Sequence, residues 1–158
     1  MYSALIESYP GRAEYIDRSA GETAVLMQSV LADSYAGQRV RLTAELRTEA
    51  AETATIWLRV DAAGGGVMHF DNLLEREGDG ALHGDSGWVT RHVVLEVPDN
   101  AATLHFGFLL LGSGKVWARG FSLEPVGTDI ASTEPGPRYH TAPVNLDFGA
   151  GSGRRPQA

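Results

Sequence analysis

The sequence predicts an all-β protein, an antiparallel β-sandwich of the jelly-roll type with about eight strands. Three observations lead there. Apolar residues recur with a period of two, most cleanly in RVRLTAELRT at Arg39–Thr48, the repeat of a strand with one covered face. Glycine and proline, 19 and 7 residues, fall between these runs, where tight connections are needed. A glycine-bearing link, Gly112-Ser113-Gly114, joins Leu104–Leu111 to Lys115–Leu123 and reads as a hairpin at the centre of the sandwich.

Taken in order, Tyr2–Ser8 alternates weakly and ends at Pro10-Gly11, and Arg12–Arg18 is a second weak run. In TAVLMQSVLA, Thr23–Ala32, strand and helix repeats compete, and the β-rich surroundings favour a strand. In Arg39–Thr48, Val40, Leu42, Ala44 and Leu46 face one way, and Arg41, Thr43, Glu45 and Arg47 the other. Glu49–Thr53 reads as a connection. Thr55–Asp61 follows, with Ile56, Leu58 and Val60 on the core side and Trp57, Arg59 and Asp61 opposite. The shared period places that triplet on the same side as Arg41, Glu45 and Arg47. After a glycine-rich turn, Val67–Asp71 is a short strand. Asn72–Gly87 is a charged surface loop of functional length, and Trp88–Val97 is a strand ended by Pro98. The jelly roll spans residues 1–126. Residues 127–142 read as a linker, 143–148 as an added strand through Val144, Leu146 and Phe148, and 149–158 as a disordered tail.

Composition bounds the function. At 158 residues with 43% apolar content, the chain can bury one real core. A net charge of −7 argues against nucleic acid and anionic membrane as partners. The absence of cysteine excludes disulfides and thiolate chemistry. No apolar run reaches the length of a membrane span, and MYSALIESYPGR lacks the features of a signal peptide, so a cytoplasmic location is expected.

Several stretches together carry a resemblance: YAGQRVRLTAELRTE (Tyr35–Glu49), WLRVD (Trp57–Asp61), FDN (Phe70–Asn72), the run Gly87–Trp117 and PVNLDF (Pro143–Phe148). They resemble a bacterial jelly-roll module of the carbohydrate-binding, galactose-binding-like kind, which occurs appended to transcriptional regulators and to hydrolases. The likeness spans about Leu26 to Val126 and implies the fold rather than an activity. Where such modules carry an acidic pair after the tryptophan of the last strand, this chain has Ala118-Arg119-Gly120. A positive charge there leaves no expectation of a structural calcium, and no cofactor or metal is expected elsewhere. The PVNLDF-like segment opens the modules it resembles and here comes last, so Pro143–Phe148 is expected to add a strand to its own sheet edge or to a second copy, which would give a homodimer by tail exchange.

The candidate ligand-binding residues are Trp57, Arg59, Asp61, Arg41, Glu45, His105 and Trp117. Tryptophan offers a flat apolar platform, and arginine and carboxylate donate and accept around it, a combination that suits a sugar ring or another small polar ligand. A ladder of cross-strand ion pairs accounts for the same charges equally well. Trp88 is a further platform or a rim residue. His105 lies in an otherwise apolar strand and needs a partner there; it is either a satisfied interior histidine or a general acid/base. His69 and Asp71, two apart, share a face but lack a third ligand. Three functions fit these residues. The first is a non-catalytic binding module for a small polar or carbohydrate-like ligand. The second is a small cyclase or isomerase using His105, Arg59 and Asp61, and the third is a sensory or interaction domain of a regulator.

Overall fold

The computed structural model of the chain describes residues 2–5, 14–18 and 23–136. Among these residues there are eight strands and no helix: β1 (Tyr2–Leu5), β2 (Glu14–Arg18), β3 (Ala24–Leu31), β4 (Gln38–Ala62), β5 (Val67–Asp71), β6 (Leu82–Val97), β7 (Ala101–Leu111) and β8 (Gly114–Val126). All pairings are antiparallel. The expected strand at Pro143–Phe148, and with it tail exchange, lies outside the described residues.

The architecture turns on β4. The sequence reads as two strands with a connection at Glu49–Thr53, whereas the chain runs through as a single 25-residue strand. Its first half pairs with β6 on one side and β8 on the other. Its second half pairs with β7 and β5. One continuous sheet thereby folds into two layers. The β8 layer runs β1-β2-β8-β4-β6, and the β7 layer runs β3-β7-β4-β5. The bend falls at Thr48–Ala54, where the register to β6 shifts and Ala50 takes φ 47°, a left-handed conformation that lets the strand turn the corner. Thr48, Ala51 and Ala54 are all buried. The two odd steps between them cancel, so even-numbered positions face inward on both halves. Val40, Leu42, Leu46, Ile56, Leu58 and Val60 are each 0% exposed and form the expected core.

The link Gly112-Ser113-Gly114 is not a hairpin, because β7 and β8 share no ladder. It is an arch from one layer to the other. Phe121 of β8 lies 6.1 Å from the rings of both Phe106 and Phe108 on β7, as residues do when two sheets pack face to face. The arch presses against the bend of β4. Glu52 donates its N–H to Ser113 O at 2.9 Å, and a Cβ on Gly114 would meet Ala50 O at 2.4 Å. Glycine is required there by space as well as by its φ of 121°.

Two further segments differ from expectation. The long loop is shorter than it reads, since β6 begins at Leu82, and it is tied down. Arg91, opposite Ala44 on the inward face, donates to Gly80 O at 2.6 Å and Gly78 O at 3.3 Å, and Leu73 is fully buried. Residues 127–136, read as linker, run along β6. Thr133 donates its N–H to Val94 O at 2.9 Å and accepts from Val94 N–H at 2.9 Å, and Glu134 reaches His69 of β5 at 2.7 Å.

Candidate functional site

The outward positions of β4 alternate regularly in both layers, but the outer faces of two packed layers point in opposite directions. The structure therefore divides the sequence-derived site. Arg41, Glu45 and Trp117 lie on the outer face of the β8 layer, and Trp57, Arg59, Asp61 and His105 lie on the outer face of the β7 layer.

On the β8 layer, register sets the neighbours. Arg47 lies opposite Trp117, Glu45 opposite Arg119 on β8 and Thr90 on β6, Thr43 opposite Ser122 and His92, and Arg41 opposite Glu124. Trp88, two residues from Thr90, shares this face. Arg119 stacks on the Trp88 ring at 3.8 Å and donates to Glu45 Oε2 at 2.6 Å. Arg47 lies over the Trp117 ring at 4.8 Å. Arg41 pairs with Glu124 at 2.8 Å, and Thr43 Oγ1 is 2.9 Å from His92 Nδ1. Burial and the Arg41 guanidinium hold His92 below its ordinary pKa. The side chains of Glu45 and Arg119 are each 40% exposed, and Trp88 and Trp117 are half-buried. This is an open surface of two indoles, each with a guanidinium over its ring, interleaved with carboxylates and hydroxyls. It can stack an apolar ring face and exchange several hydrogen bonds at its rim.

On the β7 layer the arrangement is tighter. Arg59 Nε donates to Asp61 Oδ1 at 2.9 Å and Oδ2 at 3.1 Å. His105 Nε2 lies 3.1 Å from Asp61 Oδ2 and 3.1 Å from Thr103 Oγ1, and its Nδ1 is 2.6 Å from Ser29 Oγ. The Asp61 side chain is 7% exposed and that of His105 16%, so His105 has the partners its burial requires. Trp57 is 5% exposed, which makes it a buried ring rather than an open platform. The three groups that the catalytic alternative needs, His105, Arg59 and Asp61, are engaged with one another. His69 and Asp71 do not converge on a common point: His69 bonds Glu134, and Asp71 accepts the Leu73 N–H at 3.0 Å.

Sequence reasoning missed Arg119, His92 and Ser29. The first two were accessible from alternation, two residues from Trp117 and four from Trp88 on their strands. Ser29 was not, because only the β3–β7 register, Ser29 opposite His105, brings it in.

No family model matches the chain. Over 132 residues it is 38% identical to an uncharacterized HTH-type transcriptional regulator, YbfP, of Bacillus subtilis strain 168, a match that takes in 81% of this chain and 43% of that protein. The chain thus spans less than half the length of that relative. Among solved structures, it is similar to the C-terminal family 22 carbohydrate-binding module of Clostridium thermocellum Xyn10B, with 12% identity, a TM-score of 0.53, and coverage of 83% of this chain and 82% of that one. A xylan-binding domain of family 22 gives 12% identity and a TM-score of 0.54 over 82% of this chain and 83% of that one. The enzymatically active domain of tailspike protein 4 from bacteriophage CBA120 gives 14% and 0.55 over 72% of this chain and 15% of that one. These likenesses show the fold, an all-β jelly-roll sandwich.

Proposed function

We propose that the chain is a non-catalytic binding module that lays a carbohydrate across the outer face of the β8 layer, between Trp88 and Trp117. The observation that carries this reading is the ladder Trp88–Arg119–Glu45 with Arg47 over Trp117. A pyranose needs an apolar platform for its C–H face and paired donors and acceptors for its hydroxyls, and this surface has both. The fold shared with family 22 carbohydrate-binding modules supports it. The test is affinity electrophoresis and calorimetry of the whole chain against a panel of neutral polysaccharides. Saturable binding to at least one is expected, and Trp88→Ala and Trp117→Ala should each weaken it about tenfold, the loss of ~1.4 kcal/mol. Native protein that binds nothing in the panel, or binding untouched by both variants, refutes the reading.

A second reading rests on the 38% identity to a transcriptional regulator. In it the module is the ligand-sensing part of a longer cytoplasmic regulator, and the same sugar changes that regulator's affinity for DNA. Gel-shift titration of the longer protein with and without the sugar separates a sensor from a passive binder.

A further inference from the structure

From the outer face of the β7 layer we infer a second, separate binding site, for a sugar carrying a carboxylate: a hexuronate, free or within a chain. The pairings place two rows side by side across the sheet, Met27–Gly107–Trp57 and Ser29–His105–Arg59–Phe70. Gly107 has no side chain, and the main chain of β3 closes against it, so Met27 and Trp57 lie on either side of a close strand contact. Phe70 is 40% exposed and Met27 57%, which gives this face apolar margins.

The polarity of what remains unpaired selects the ligand. Asp61, opposite Thr103 in the next row, is spent on Arg59 Nε and His105 Nε2. Arg59 engages Asp61 through Nε alone, so among the described residues both terminal amino groups of its fork are unbonded, and the side chain is 34% exposed. The indole N–H of Trp57 is buried and has no acceptor, a costly condition unless a ligand relieves it. Because a carboxylate only accepts, His105 Nε2 carries a proton toward Asp61, and Ser29 Oγ meets Nδ1 at 2.6 Å. The Ser29 oxygen is then left to accept from a ligand hydroxyl. The two spare amino groups of Arg59, the unpaired Trp57 N–H and the Ser29 oxygen together suit an acceptor-only planar anion with a neighbouring hydroxyl. A guanidinium fork binds a carboxylate in that way, two parallel bonds at once. A neutral sugar would leave the donors poorly matched.

The site is tested by following the indole N–H resonances of the whole chain in 15N–1H spectra. Its three tryptophans give three indole signals, with Trp57→Phe assigning that of Trp57. Glucuronate should shift the Trp57 signal saturably, while glucose and methyl glucuronate should be at least tenfold weaker. Trigalacturonate against the monomer tells whether the carboxylate is read free or within a chain. Arg59→Gln should abolish the shift, with the Trp88 and Trp117 signals reporting an intact fold. If that variant unfolds, calorimetry of Trp57→Phe, which keeps an aromatic ring but deletes the indole N–H, should still show weaker glucuronate binding. Trp88→Ala should bind glucuronate normally, which separates this site from the face proposed for neutral sugars. A Trp57 signal unmoved by glucuronate, or moved equally by glucose, overturns the inference.

Discussion

His92 sits on the outer face of the β8 layer, with its Nδ1 2.9 Å from Thr43 Oγ1. Burial first, and the Arg41 charge second, lower its pKa, against smaller opposing effects of Asp79 and Glu124. Its folded pKa therefore lies below the unfolded value of about 6.5. Between the two values the unfolded chain binds a proton that the folded chain does not, so stability rises with pH there and is lost as the pH falls below about 6.5. An NMR titration should place the His92 midpoint below that value, and Arg41→Gln should move it upward. A midpoint at or above 6.5 in the native chain would contradict the cause assigned here. Because His92 lies opposite Thr43 and one row from Glu45, the same titration also reports ligand on the proposed sugar face.

At the scale of the element, β3 has little to guard it. Among the described residues it forms one edge of the β7 layer and carries no charge or proline from Ala24 to Ala32, the devices that usually guard an edge. Val25, Met27 and Leu31 are exposed along its outer face. What fixes β3 is its close approach to β7 at Gly107, where a Cβ would stand 1.8 Å from Leu26 O and 3.0 Å from Met27 Cα. Both contacts are main chain, so no side-chain rotation relieves them. Gly107→Ala should force β3 away from β7 and cost at least ~1–3 kcal/mol, a fall of ~2–4 °C in melting temperature per kcal/mol for a chain of this size. Unchanged melting of that variant would mean that β3 adapts without loss.

For the whole molecule, the decisive feature is that β4 belongs to both layers. Leu46 in its first half and Leu58 in its second are both 0% exposed, within one core. Neither layer can lose its central strand without the other losing it too. Leu46→Ala and Leu58→Ala should each cost about 2–5 kcal/mol, and both should lower a single unfolding transition followed by calorimetry and by tryptophan fluorescence. Two resolved transitions, with one substitution acting on each, would show that the layers unfold independently. The same geometry separates the two proposed binding faces across the core, so a substitution on one should leave the other's affinity unchanged.

The sequence alone determined the all-β class, the inward set Val40, Leu42, Leu46, Ile56, Leu58 and Val60, and the polar, aromatic character of the opposite positions. It could do so because period-two alternation is a local property, written into each strand's own residues. Three things were decided only by tertiary structure. Glu49–Thr53 reads as a connection because its residues are small or polar, yet pairing with β6 and the arch at Gly114 hold it as a bent strand. Gly112-Ser113-Gly114 reads as a hairpin because a short glycine link permits one, yet both neighbouring strands take their partners from β4. Alternation put Trp57, Arg59 and Asp61 on the same side of the chain as Arg41 and Glu45, and along the strand that is true. It is the fold of β4 from one layer into the other that sends them to opposite faces, because alternation records which side of a strand is covered and carries no information about where the strand itself goes.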